Sequence, residues 1–141
     1  MEELNLETYQ DDNSELEKYL SDSIIRYGID QLNGIKPRKL YCCYRDINRR
    51  IVGGVMGSKT INLFFISHLF VEPEYRKNGL GAKLLSEIEN VAHQVGCDTL
   101  RLNTFNKKAR KLYLNAGFDE TACISDYMNG FDLVYYHKKI S

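Results

Sequence analysis

With 141 residues, 43% of them hydrophobic, and 19 basic residues set against 19 acidic ones, the chain has the length of one domain and enough apolar material for a core without metals or disulfides. The charge balance argues against nucleic acid as an obligate partner, and the longest apolar stretch, "INLFFISHLFV", is interrupted by Asn62, Ser67 and His68 and is about half of what a membrane helix needs. The opening "MEELNLETYQDDNSELEKYL" has neither the basic nor the apolar region of a secretory signal, so the expectation is one cytosolic (cytoplasmic) domain over residues 1–141, with no membrane segment.

In chain order, Ser14 and Glu17 have capping-box spacing, and Leu16, Tyr19, Leu20, Ile24 and Tyr27 then recur on one helical face up to Gly28. Three strands rich in β-formers follow, "KLYCCYRD", "IVGGVMGS" and "INLFFISHLFV", joined by "INRR" and an "SKT" turn, and read as an antiparallel meander. Cys42 and Cys43 are adjacent in the first of them and so point to opposite faces, while Cys97 and Cys123 stand alone; no zinc-ligand or redox spacing results, and no metal is expected.

From Gly79 to Val95, Leu80, Leu84, Leu85, Ile88, Val91, Ala92 and Val95 form a 3.6-period stripe, with Gly96 at the helix stop. "DTLRLN" is a short strand, and "NKKARKLYLNA" a helix with Asn106 as N-cap and Gly117 as stop. "FDETACI" and "FDLVYYHKK" are two final strands. The expected order is β-α-β-β-β-α-β-α-β-β, an α/β fold with a mixed, mostly antiparallel sheet and helices on both faces.

Where the third strand hands over to the long helix, residues 75–85 read "YRKNGLGAKLL". Two glycines one residue apart at a helix start, with Arg76 and Lys77 before them, suit an anion held by backbone N–H groups. A P-loop fails, because Lys83 is one place late and no Ser or Thr follows it. A dinucleotide fingerprint fails as well, because Leu84 stands where a small residue must pack against a strand.

The pattern that fits is [QR]-x-x-G-x-[GA], through Arg76, Gly79 and Gly81. Further on, "NKKARKLYLNAGF" matches N-x-x-A-x-x-L-Y-x-x-x-G-F through Asn106, Ala109, Leu112, Tyr113, Gly117 and Phe118. In this order the two resemble motifs A and B of the GNAT superfamily of acetyl-CoA-dependent N-acetyltransferases. The resemblance is sharp over residues 50–120.

The resemblance implies that acetyl-CoA is the co-substrate. Its pyrophosphate would be held by the loop of Arg76, Lys77, Asn78, Gly79, Gly81 and Ala82, and its pantetheine arm by the backbone of Leu69, Phe70 and Val71, with Asn106 either touching the arm or only capping its helix. It also implies that Tyr113 is the general acid near the thiol sulfur. Many relatives carry a carboxylate as base on the strand before the loop; here Ser67 and His68 hold those places, and His68 is either the base or a core histidine. The basic cluster of Lys107, Lys108, Arg110 and Lys111 reads mainly as a solvated helix face. Acids such as Glu7, Asp11 and Asp126, with Tyr127 and Tyr135, are candidates for the acceptor wall. The implied function is acetylation of a small-molecule primary amine, with a protein acceptor or a non-catalytic acyl-CoA-binding module as alternatives. A homodimer paired through the C-terminal strands is expected.

Overall fold

The structure is a computed structural model and describes residues 2–32 and 34–140. The chain forms two compact units, Met1–Lys36 and Pro37–Ser141. In the first, helix α1 spans Ser14–Gln31 and is capped by Asn13, whose Oδ1 accepts from the Leu16 N–H at 2.9 Å. Asn13, one residue earlier than the expected Ser14, therefore satisfies the first-turn donor. The helix runs through Gly28, and residues 2–13 form no strand, so the leading strand of the expected order is not there.

The second unit contains β1 (Arg38–Arg45), β2 (Ile51–Thr60), β3 (Leu63–Val71), α2 (Leu80–Gln94), β4 (Thr99–Thr104), α3 (Arg110–Asn115), β5 (Asp119–Met128) and β6 (Phe131–Lys139). They build one sheet in the order β1-β2-β3-β4-β6-β5. The β3–β4 pair is parallel and the other neighbours are antiparallel, because only β3 and β4 are joined by a helix long enough to carry the chain back across. The mixed, mostly antiparallel α/β architecture is the expected one. The β2–β3 hairpin turns just after "SKT", at Ile61 and Asn62, with Ile61 at φ 55°. The last turns at Asn129 and Gly130, both at positive φ, as a two-residue Asn-Gly hairpin requires.

The predicted stripe of α2 is the helix's buried face. Leu84, Leu85, Ile88 and Ala92 pack with Leu40, Val55, Phe64 and Ile66 from the first three strands and Leu100, Leu102 and Tyr136 from the others. Phe64 and Ile88 are fully buried, and each such side chain contributes about 1.5–3 kcal/mol relative to exposure.

Two features of β3 decide where the sheet opens. Across β2, Met56 faces His68 but Gly57 faces Ile66, so Ser67 is one residue too many and forms a β-bulge. A Cβ on Gly57 would lie 2.2 Å from the Phe65 carbonyl oxygen and 2.7 Å from the Phe64 ring, so the strands approach more closely there than any side chain allows. On its other side β3 pairs with β4 only from Leu63 to Phe65. Beyond the bulge the two parallel strands part and leave the edge of residues 66–71 without a partner on β4.

Candidate active site

The parted strands open a groove of about 610 Å³. Leu69, Phe70 and Val71 form one wall, the loop and helix start from Tyr75 to Ala82 the second, and Thr104, Asn106, Lys108, Ala109, Leu112 and Tyr113 the third. Residues that the sequence separates by more than forty positions are thus brought to one place. Of the expected coenzyme-binding set, Leu69, Phe70, Val71, Arg76, Lys77, Gly79, Gly81, Ala82 and Asn106 all line the groove. Asn78 does not; its side-chain amide donates to the Tyr75 carbonyl at 3.2 Å and closes the loop from behind.

The loop's backbone explains its sequence. Lys77 and Gly79 both adopt left-handed φ, 68° and 74°, and Gly79 is followed at once by right-handed Leu80, an alternation that turns successive N–H groups toward one side, the geometry of an anion nest. The N–H groups of Leu80, Gly81 and Ala82, in the first turn of α2, have no partner within the helix. Gly79 is required by its φ. At Gly81 an added Cβ would meet only the Leu112 side chain, at an ordinary 3.5 Å, so nothing in the fold itself demands glycine there; the small residue leaves the groove open. Arg76 folds back: its Nε donates to the Val71 carbonyl at 2.7 Å, and its guanidinium lies 5.4 Å from the centre of the Phe70 ring. It clips the loop to the end of β3.

Tyr113 is 7% exposed. Its ring meets Phe118 edge-on at 5.9 Å and Tyr136 at 5.2 Å between centroids, which fixes the side chain. Burial, and secondarily Tyr136, raise its phenol above the ordinary value of 10. Asn106 caps its turn, accepting from the Lys108 N–H at 3.1 Å, while also lining the groove.

A second cavity of about 300 Å³ adjoins the groove, lined by Ile66 to Phe70, Leu102 to Thr104 and Tyr113. It shares Leu69, Phe70, Thr104 and Tyr113 with the groove. His68 belongs to this cavity and not to the groove. It is exposed, not a core histidine, and its Nδ1 lies 2.8 Å from Ser67 Oγ. Four groove residues, Tyr75, Leu80, Thr104 and Lys108, are not among those expected from sequence, where Leu80 reads as part of the helix stripe and Lys108 as one of several solvated lysines. The motif spacing around Asn106, Ala109 and Tyr113 holds a signal for Lys108, since the turn that faces those residues to the groove brings Lys108 with them. Among the described residues no helix is long and apolar enough to cross a membrane, and no three metal-ligating side chains gather in a cluster.

Comparison with known proteins bears on this geometry directly. The family model "Acetyltransferase (GNAT) family" matches residues 1–118. An acetyltransferase of Agrobacterium fabrum is 25% identical over 126 residues, 89% of this chain and 92% of its own. A crystal structure described as an acetyltransferase from Agrobacterium tumefaciens superposes with a TM-score of 0.89 at 23% identity, covering 97% of this chain and all of the other. A streptothricin acetyltransferase from Bacillus anthracis, solved in complex with acetyl coenzyme A, superposes with a TM-score of 0.67 at 20% identity over 75% of this chain and 65% of its own. Both sequence motifs fall inside the matched span, and the glycine loop and Tyr113 face each other across one groove; the chain belongs to the acetyltransferase (GNAT) family, and acetyl transfer from acetyl-CoA to an amine is its chemistry.

Proposed function

We propose that the protein acetylates the primary amine of a small molecule, by direct attack of the amine on acetyl-CoA within a ternary complex. The observation that carries this reading is the position of Tyr113, which lines both the glycine-loop groove and the adjoining cavity of about 300 Å³. Two substrates entering from the two spaces would meet at its hydroxyl. A cavity of that size lies at the small end of ligand sites and suits a small acceptor.

The residues present fit the coenzyme. Free N–H groups at a positive helix end, a nest at Gly79 and Leu80, and an unoccluded backbone at Gly81 form a donor set for a pyrophosphate. The unpartnered edge of β3 offers main-chain groups of Leu69 to an amide-bearing arm, as in strand addition; the Val71 carbonyl is already engaged by Arg76, and the main chain of Phe70 faces β2. Acetyl-CoA, when bound, supplies the activated acetyl thioester. Tyr113 keeps its proton throughout the neutral range and holds it for the departing sulfur. His68 faces the second cavity and accepts the proton from the incoming amine, directly or through water. The family match crosses both units of the chain, which supports reading residues 1–141 as one domain. Its four free cysteines suit a reducing cytoplasm.

Thiol release from acetyl-CoA, measured with tyramine, glucosamine, spermidine, an amino-acid methyl ester and a peptide with a free N-terminus, tests the acceptor. Turnover on a small amine well above that on the peptide is expected. Preference for the peptide would transfer the activity to protein N-termini, and no turnover on any amine would contradict the enzymatic reading.

A further inference from the structure

Ser67 and His68 are consecutive residues of one strand, and in a regular strand their side chains would point to opposite faces and never meet. The bulge at Ser67 removes that separation, and His68 Nδ1 comes within 2.8 Å of Ser67 Oγ. The serine hydroxyl in turn donates to the Met56 carbonyl across the sheet, at 3.3 Å. A hydroxyl has one proton. With that proton directed at Met56, Oγ is left to accept from His68, so Nδ1 must carry the imidazole's hydrogen. A neutral imidazole carries only one, and Nε2 is therefore the bare nitrogen.

We propose that Ser67 is a positioning residue that fixes the Nδ1–H tautomer and ring orientation of His68, leaving Nε2 as the proton acceptor toward the cavity shared with Tyr113. The catalytic part of this inference rests on the reading of His68 as the base. The tautomer part stands on the bulge and on the two hydrogen bonds of Ser67, independently of that reading. The arrangement orients an imidazole through its second nitrogen, a task that a carboxylate or backbone carbonyl often performs; here a hydroxyl anchored to the neighbouring strand performs it. The bulge lies beside the close approach of β2 at Gly57, where an added Cβ would meet the Phe65 carbonyl oxygen.

The test uses the full chain. Nitrogen-15 NMR of the imidazole rings is recorded at a pH near 9, where histidine is neutral, and the His68 signals are assigned by their loss in His68→Gln. The wild type is expected in the Nδ1–H form. Ser67→Ala should move it toward the Nε2–H form that an unconstrained histidine side chain favours, and Ser67→Thr, which keeps the hydroxyl, should restore it. With the small amine that turns over fastest, kcat/KM should fall by about fivefold in Ser67→Ala, the size of one neutral hydrogen bond, and recover in Ser67→Thr. Ser67 is exposed, so both variants should fold, and circular dichroism checks that they do. An Nε2–H wild type, or a tautomer unchanged in Ser67→Ala, overturns the positioning role. Full turnover in His68→Gln overturns the base and the catalytic consequence with it, whatever the tautomer does.

Discussion

Replacing Tyr113 by phenylalanine is expected to lower kcat by about 10²–10⁴-fold, the range for removing a general acid, while acetyl-CoA and CoA bind as before. The substitution is unusually clean. The ring stays between Phe118 and Tyr136, where it contributes its packing, and only the oxygen leaves the junction of the two cavities. Stability should change little, because the core loses no apolar volume. Since burial raises this phenol's pKa above 10, the acid form persists through neutral and mildly alkaline pH, and turnover should not be lost there through this residue. Thiol release read beside calorimetric binding separates the possibilities: undiminished turnover would remove Tyr113 from the chemistry, and lost binding would make it a packing residue.

The largest expected effect on stability lies away from the groove. Gly57→Ala should destabilise the fold by about 3 kcal/mol, at the upper end of overpacking, and lower Tm by about 10 °C. The reason is the hardness of the obstacle. The new methyl meets the Phe65 carbonyl oxygen at 2.2 Å, and that atom belongs to β3 beside the bulge, where β2 and β4 hold it from both sides. A flexible side chain could move aside, but this backbone cannot without losing ladder hydrogen bonds. Thermal unfolding followed by circular dichroism reads the shift. A Tm within a degree or two of wild type would mean that the strands separate easily and that the close approach does not maintain the bulge.

What could be read in the sequence and what could not divide along a physical line. The α2 stripe was legible because a 3.6-residue period over fifteen residues leaves few alternatives, and Gly96 and Gly117 marked helix ends because left-handed stops favour glycine. The glycine loop and the motif around Tyr113 were legible because each packs its chemistry into a short segment. The N-cap was misplaced by one residue because Asn13 and Ser14 are both good caps and only backbone geometry chooses between them. The turn at Ile61 was missed because a β-branched residue at φ 55° carries no sequence signal. The bulge at Ser67 was illegible for a deeper reason. Register depends on which residues face each other across strands, and alternation within one strand does not say where a residue will be left over. The same illegible bulge decides where the strands part and where His68 points, so the second cavity could be found only in three dimensions.

The proposed chemistry depends above all on what the glycine loop holds. The direct measurement is thermal unfolding of the purified protein, titrated in parallel with acetyl-CoA, CoA, NADPH and ATP, and repeated with Gly81→Ala. A ligand at 100 times its Kd that binds only the native state adds about 2.7 kcal/mol, a shift of several degrees. Acetyl-CoA and CoA should produce it in the wild type, whereas NADPH and ATP should not. In Gly81→Ala the free protein should be no less stable, since alanine suits a helix and its Cβ finds ordinary contact with Leu112, and the shift with acetyl-CoA should persist, because the loop pattern admits alanine as well as glycine there. Stabilisation by NADPH or ATP instead, or by none of the four, would contradict the assignment of the loop to the pyrophosphate of coenzyme A.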